Sequence, residues 1–423
     1  MKKSQKWLHF YIMSKYLITT FGCQANMADS DRIAGTMNEL GYDKADNLKK
    51  LTLAKNPVLI FNTCSIRQKA EDRVFGLNNR LRELKGKKTN LIAILTGCMM
   101  HYKETELKKR MPFFDYFIDI KEIGKLKKIL KPVSNVAGRT WQVGKPSALI
   151  PISNGCDNFC SYCIVPLARG RETSRGCLGV VCDVKKAITN GIKEIWLLGQ
   201  TVNSYKNEDV KFHDLLRVIN AIDGDFWIRF ASPHPKGFSD DLIKAMAECE
   251  KFARYVNLPV QSGNNAVLKK MKRPYTVGYY KKLVKKIRKA MPDIAISTDI
   301  IVGFPGETKK QFEDTKKLFE EIKFDMAFIS EYSPRPKTIA YKMFKDDIPH
   351  KEKEKRKNEL NEILKKTALE NNQKLVGKIV KVLNGRTEGN KPIDIEKNYP
   401  KNKFVSVKII KANIWRLKGK ILY

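Results

Sequence analysis

Asn154-Gly155-Cys156-Asp157-Asn158-Phe159-Cys160-Ser161-Tyr162-Cys163 follows directly on Leu149–Ser153, a short apolar run that reads as a buried strand. A strand that ends in a cysteine loop fits a parallel α/β sheet, where functional groups gather at the carboxyl ends of the strands. The alternation continues downstream. Further strands are expected at Glu194–Leu198, Trp227–Ala231, Tyr255–Pro259, Ile294–Val302 and Met326–Tyr332. Helical spacing falls between them, at Val180–Asn190, Phe212–Ala221, Ser239–Cys249, Ala266–Met271, Val277–Ala290 and Glu307–Glu321. Six such repeats predict a partial (βα)6 barrel open on one side. A full barrel and an open sheet share the same pattern.

Upstream, residues 15–131 alternate in the same way. Strands are expected at Tyr16–Thr20, Val58–Asn62 and Leu91–Thr96, with helices at Asp29–Leu40 and Ala70–Leu84. This is the pattern of an open parallel α/β sheet. Each strand runs straight into a cysteine: Cys23, Cys64 and Cys98. The carboxyl ends of such a sheet share one edge, so topology predicts that these three thiols converge on a second metal site. Three unrelated core thiols are the competing explanation.

Downstream, Lys351–Leu375 reads as a charged helical connector, and Val376–Tyr423 as a small β-barrel with strands at Lys378–Leu383, Phe404–Ile410 and Lys418–Tyr423. That tail holds 12 Lys and Arg against 3 acids, which suits RNA binding, although a solvated basic appendage has the same composition. The expected division is therefore residues 15–131, 141–375 and 376–423. Over the whole chain, 81 Lys and Arg against 45 Asp and Glu leave a net charge of +36, which points to a polyanionic partner. No apolar run reaches the roughly 18 residues of a membrane span. The start, Met1–Lys15, lacks a signal-peptide cleavage pattern, and Met13 is an alternative first residue. A cytoplasmic protein is expected, in which nine cysteines mean metal or redox chemistry more readily than disulfides.

The loop at 156–163 has the spacing C-x3-C-x2-C. Structural zinc sites take four ligands, and ferredoxin runs also supply four cysteines. Here the loop supplies three; Cys177 and Cys182, the nearest others, are read with Cys249 as free thiols. A [4Fe–4S] cube on Cys156, Cys160 and Cys163 keeps one iron open. That iron can chelate the amino and carboxylate groups of S-adenosylmethionine beside a donor whose potential can fall to about −700 mV. One-electron cleavage then gives a radical able to take hydrogen from unactivated carbon.

The aromatic Tyr162 before the third cysteine makes this loop similar to those of the radical S-adenosylmethionine superfamily. A larger set of motifs resembles its methylthiotransferases: TFGCQAN (20–26), FNTCSIR (61–67), LTGC (95–98), GCDNFCSYCIVPLARGRETSRG (155–176), LLGQTVNSY (197–205), SPHP (232–235), LPVQSGNN (258–265) and DIIVGFPGET (299–308). The resemblance runs from about Lys15 to the end of the chain. It implies an N-terminal methylthiotransferase domain, a radical barrel and a C-terminal TRAM domain that binds RNA. It implies insertion of a methylthio group at carbon 2 of an isopentenylated adenosine (position 37) beside the tRNA anticodon. The wording of SPHP and FNTCSIR favours this class over relatives that modify threonylcarbamoyladenosine or a ribosomal-protein aspartate. It further implies two [4Fe–4S] clusters, a radical one on Cys156, Cys160 and Cys163 and an auxiliary, sulfur-bearing one on Cys23, Cys64 and Cys98. S-adenosylmethionine serves as radical source and methyl donor. A flavodoxin- or ferredoxin-type electron donor, a sulfur donor and a monomeric chain belong to the same expectation. Outside this chemistry, a non-catalytic iron–sulfur RNA-binding protein and a zinc-stabilised scaffold are the rivals.

Residues at strand ends are candidate cofactor contacts: Tyr162, Gln200, Asn203, Gln261 with Ser262, Asp299, and Gly303 and Gly306 in the turn that the resemblance places near S-adenosylmethionine. Each could equally cap a helix or shape a turn. Arg169, Arg171 and Arg175 are expected on a rim that meets RNA, with salt bridges to neighbours such as Glu172 as the alternative. The chain departs from the family at Gly176-Cys177, where proline is usual, and its tail is short for a TRAM domain.

Overall fold

Pro57–Thr63 is buried at all seven positions, as the middle strand of a parallel sheet covered on both faces must be. In the computed structural model, which describes residues 14–65, 68–130, 132, 145–395 and 399–422, the chain divides into two compact units. One comprises Met1–Gln142 with Ile164–Gly170, the other Val143–Cys163 with Arg171–Tyr423. The start up to Met13 and the limits at Lys131, Trp141 and Tyr423 lie outside the described residues.

The first unit holds β1 (Lys15–Thr20), β2 (Asp43–Lys44), β3 (Pro57–Thr63), β4 (Ile92–Gly97) and β5 (Tyr116–Ile118). All pair in parallel, in the order β2-β1-β3-β4-β5. Along β3 the side chains alternate: Val58 and Ile60 join Ile33 and Met37 of α1 (Gln24–Glu39), whereas Leu59 and Phe61 join Val74 and Leu81 of α2 (Gln68–Lys87). Two cores, one on each face, make this the expected doubly wound sheet. Helix α1 starts five residues before the expected Asp29, with Cys23 at the N-cap position and Asn26 turned inward.

In the second unit, β6 (Ala148–Pro151), β7 (Glu194–Leu198) and β8 (Trp227–Phe230) form one parallel ladder. A second comprises β9 (Tyr255–Asn257), β10 (Ala295–Val302) and β11 (Met326–Glu331). A parallel bridge between Ile228 and Phe252 links them, so six strands stand side by side in chain order. Among the described residues no ladder joins β6 to β11, and the partial barrel is open there. The helix His350–Gln373 is more than a connector. It buries Leu360 and Leu364 in the barrel core, and its Arg356 pairs with the buried Glu307 at 2.8 Å.

Beyond it, β12 (Ile379–Leu383), β13 (Arg386–Thr387), β14 (Ile393–Asp394), β15 (Val405–Ala412) and β16 (Leu417–Ile421) pair in the order β13-β12-β15-β16-β14. A bridge between Arg386 and Pro392 almost closes this sheet into a barrel over Val382, Val407 and Leu417. It docks on the amino ends of the barrel strands. Arg229, with no exposed surface, holds Glu194 at 2.7 Å and donates to the carbonyls of Glu388 (2.8 Å) and Thr387 (3.1 Å). Trp227 meets Phe404, Lys381 pairs with Asp225, and Lys391 with Asp325. The cysteine loop leaves the opposite, carboxyl ends. Among the described residues no helix is long and apolar enough to cross a membrane.

Candidate functional site

In the first unit, β1, β3 and β4 are adjacent, so Cys23, Cys64 and Cys98 leave one sheet edge from neighbouring strands. Gly22 brings the β1 turn in: a Cβ there would stand 2.9 Å from Cys64 Cβ and 2.4 Å from Asn26 Oδ1. Asn26, fully buried, is the hub. Its amide donates to Asn62 Oδ1 (3.1 Å) and Thr63 O (2.9 Å) and lies 3.9 Å from Cys98 Sγ, while the Cys23 thiol donates to its Oδ1 at 3.5 Å. Cys64 and Cys98 are buried, Cys23 is exposed, and none of the three is in a disulfide. Burial pushes the Cys98 thiol up, and the Arg169 guanidinium opposes it.

Arg169 is therefore not on a rim. It ends the helix Val165–Arg169, is 4% exposed, and pairs with Asp29 at 2.8 Å beside Cys98. The reading as a surface RNA contact gives way to this one: a buried Arg–carboxylate pair leaves no face for a phosphate. Arg171 is exposed and pairs with Asp157 at 2.9 Å. Arg175 is half-buried between Asp183 and the Pro151 carbonyl.

In the second unit the loop after β6 places Cys156 and Cys160 almost out of solvent and Cys163 half-buried, all reduced. Ser161 pins the loop: its N–H donates to Met271 O (3.0 Å), its hydroxyl to Lys270 O (2.8 Å), and its carbonyl accepts from Ala340 N (2.7 Å). The sulfurs are met by polar donors. Asn158 N–H donates to Cys156 Sγ (3.4 Å), Thr201 Oγ1 lies 3.3 Å from the same sulfur, and Arg273 Nη1 donates to Cys160 Sγ (3.3 Å). Reduced cysteines with donors aimed at the sulfurs of Cys156 and Cys160 suit thiolates held on iron, where hydrogen bonds to sulfur are a normal feature. Among the described residues no three His, Cys, Asp or Glu side chains are placed to hold a single ion; ligands on separate irons of a cube need not converge on one point.

The other predicted residues fall on the carboxyl edge of the barrel in varied roles. Tyr162 packs against Val267, Met271 and Phe304, and burial drives its hydroxyl pKa far up. Gln200 follows β7, half-buried. Asn203 is committed at both ends of its amide to the backbone of His234 (2.8 and 2.9 Å), so it shapes the SPHP loop. Gln261, with φ +72°, bridges Asp299 O and Ile301 N, and the Asp299 carboxylate accepts from Asn257. Ser262 is buried and caps Asn264 N. Gly303 and Gly306 do not open a path for a ligand at their Cα positions. A Cβ on Gly303 would strike the Lys353 stem at 2.4 Å, one on Gly306 would meet Lys270 Nζ at 2.7 Å, and both amides already donate, to Glu307 and Asp347. Their positive φ values make them turn residues.

Reading the sequence did not single out Asn26, Thr201 or Arg273 as site residues. It had one usable signal for Asn26, three residues past Cys23 in TFGCQAN. Five buried side-chain polar atoms lack a partner among the described residues, and three of them, Ser153 Oγ, His234 Nε2 and Tyr332 Oη, follow barrel strands at this edge. Because His234 Nδ1 accepts from Lys236 N, its proton sits on Nε2. Buried donors without partners fit a polar cofactor.

Residues 150–319 match the radical SAM superfamily and residues 15–119 match uncharacterized protein family UPF0004. The chain is 40% identical over 442 residues to the tRNA-2-methylthio-N(6)-dimethylallyladenosine synthase of Clostridium novyi (strain NT), covering 96% of each. It is 40% identical to the enzyme of the same name from Caldicellulosiruptor saccharolyticus, covering 96% of this chain and 92% of that one. Among solved structures, the radical S-adenosylmethionine methyltransferase TsrM from Kitasatospora setae, with cobalamin and [4Fe-4S] cluster bound, superposes with a TM-score of 0.58 at 14% identity, covering 78% of this chain and 77% of that one. At that identity the likeness concerns the fold.

Proposed function

The chain belongs to the tRNA-2-methylthio-N(6)-dimethylallyladenosine synthases of the radical S-adenosylmethionine superfamily, and on that premise we propose that it converts N(6)-dimethylallyladenosine at position 37 of tRNA to its 2-methylthio derivative. The observation that carries this reading is the second cysteine trio on adjacent strands of the first unit: a radical enzyme that inserts sulfur needs a place to hold it.

A [4Fe–4S] cluster with S-adenosylmethionine, when bound, supplies a low-potential electron and a hydrogen-abstracting radical, and a second cluster would supply the sulfur that is methylated and transferred. Cys156, Cys160 and Cys163 would hold the first, and Cys23, Cys64 and Cys98 the second. Asn158 and Thr201 steady the Cys156 sulfur, and Asn26 spaces Cys23 from Cys98. Burial, Arg273 and Lys236 hold the His234 pKa at about 3, so the ring stays neutral at working pH, and because its Nδ1 accepts from Lys236 N its one proton on Nε2 is offered as a fixed donor to the cofactor. Gln200, Gln261 and Asp299 stand at the same edge as further contacts. Electrons come from a flavodoxin or ferredoxin, sulfur from a separate donor, and the chain acts as a cytoplasmic monomer.

The basic C-terminal sheet, docked on the amino ends of the barrel strands, grips the tRNA stem while the anticodon loop reaches the cysteine edge; Arg171 and Arg175 assist there. Nucleoside mass spectrometry of tRNA from a deletion strain tests the assignment. The methylthio nucleoside should vanish and dimethylallyladenosine accumulate. Persistence of the methylthio-isopentenyl nucleoside refutes it, and loss of a methylthio-threonylcarbamoyl nucleoside instead moves the chain to the neighbouring class.

A further inference from the structure

Arg273 lies between the helices Asn265–Lys270 and Val277–Ala290, and only 8% of it is exposed. Every nitrogen of its guanidinium is engaged. Nε donates to the Tyr275 hydroxyl (2.8 Å), Nη2 to Pro259 O (3.2 Å) and Nη1 to Cys160 Sγ (3.3 Å). Among the described residues no carboxylate pairs with it. Tyr275 is no counterion: burial pushes its hydroxyl up to about 12, against the pull of Arg273, and that hydroxyl donates to the carbonyls of Pro259 and Val260. Arginine does not shed its proton, and a buried cation without an anion is costly. The partner able to carry the negative charge is the Cys160 sulfur. Arg169 differs, since Asp29 at 2.8 Å already balances it.

We propose that Arg273 is a positioning residue that sets the reduction potential of the radical cluster through an uncompensated positive charge hydrogen-bonded to the Cys160 sulfur. The inference rests on the assignment of that cluster to Cys156, Cys160 and Cys163. Reduction moves one electron from a flavodoxin-type reductant to the cluster, makes and breaks no bond, and adds one negative charge to the cube and its thiolates. A fixed cation 3.3 Å from one sulfur favours the more negative state, so it raises the potential. Its effect is on the ease of reduction, and it touches no reacting atom of the tRNA.

The test uses the full-length chain carrying C23A, C64A and C98A, so that one cluster remains, and EPR-monitored redox titration without S-adenosylmethionine. Poised at the parent midpoint, R273Q should show a reduced-to-oxidised ratio at least tenfold lower, equal to about 59 mV for one electron. R273K, which keeps the charge, should stay within threefold of the parent. A ratio for R273Q within threefold of the parent, at equal iron content, overturns the proposal while leaving the cluster assignment intact. A parent without iron overturns the assignment itself. Should R273Q fail to assemble its cluster, 15N-arginine labelling of the parent decides. A 15N coupling in pulsed EPR of the reduced cluster supports the contact, and its absence refutes it.

Discussion

Replacing Asn26 with leucine, which keeps the branched shape but cannot hydrogen-bond, removes what the hub of the N-terminal site contributes. In the wild type its amide serves Asn62 Oδ1 at 3.1 Å and Thr63 O at 2.9 Å, in a place with no exposed surface. N26L strands both acceptors. Each unsatisfied buried group costs about 1–3 kcal/mol, so the sheet edge should lose roughly 4 kcal/mol. Asn62 keeps its own bonds to Asn26 O and Ser30, which confines the damage to those two atoms. Native-state hydrogen exchange on the metal-free chain reads this directly, at about tenfold per 1.4 kcal/mol. Protection in β3 and β4 should fall by roughly a thousandfold, whereas β7 in the other unit keeps its protection. A fall of less than about fivefold in β3 and β4 would mean that the two acceptors find other partners, and the hub reading would be wrong.

Other outcomes follow from the same contacts. R229M strands two carbonyls and the mostly buried Glu194, so β12 should lose about 3–5 kcal/mol of protection, and tRNA affinity should drop while tRNA-independent release of 5′-deoxyadenosine persists. Unchanged exchange in β12 would show that the sheet docks by other means. R169A leaves the buried Asp29 with only its longer contact to Arg32 (3.7 Å) and should cost about 3 kcal/mol, whereas R171A, which breaks an exposed pair, should change stability by less than about 1 kcal/mol yet weaken tRNA binding and shallow its salt dependence by about one charge. Equal thermal shifts for the two would contradict their assigned places. His234 titrates near 6.5 when unfolded but at about 3 when folded, through burial first and then Arg273 and Lys236. Below pH 6.5 the unfolded chain takes up a proton there that the folded chain refuses. Stability is therefore lost as pH falls from about 6.5 to 3, by roughly 5 kcal/mol in all. Denaturation curves of wild type and H234Q should diverge over that window; parallel curves would refute the buried neutral imidazole.

Strand placement was legible because buried parallel strands are short, continuous apolar runs. The expected Glu194–Leu198 is β7 residue for residue, and the helix Val277–Ala290 stands as read. The convergence of Cys23, Cys64 and Cys98 followed from topology, since three strands that pair side by side deliver their ends to one edge. Hidden instead were features set by partners distant in sequence. Asp43–Lys44 and Tyr116–Ile118 are edge strands of two and three residues that draw their order from β1 and β4. Arg169 looked like a surface cation because its partner Asp29 stands 140 residues earlier. Lys353 and Arg356 made a packed helix look solvated, since their charges meet Asp346 and Glu307 only in the fold. Arg273 sits in a lysine-rich stretch, where nothing local separates it from a solvated charge.

Anaerobic iron and sulfide analysis of the reconstituted chain tests the central claim, that two cysteine trios each hold a cluster. About eight irons per chain are expected, falling to about four when Cys23, Cys64 and Cys98 are replaced by alanine and to about four when Cys156, Cys160 and Cys163 are replaced instead. About four irons in the unaltered chain, unchanged by loss of the Cys23, Cys64 and Cys98 trio, would contradict it.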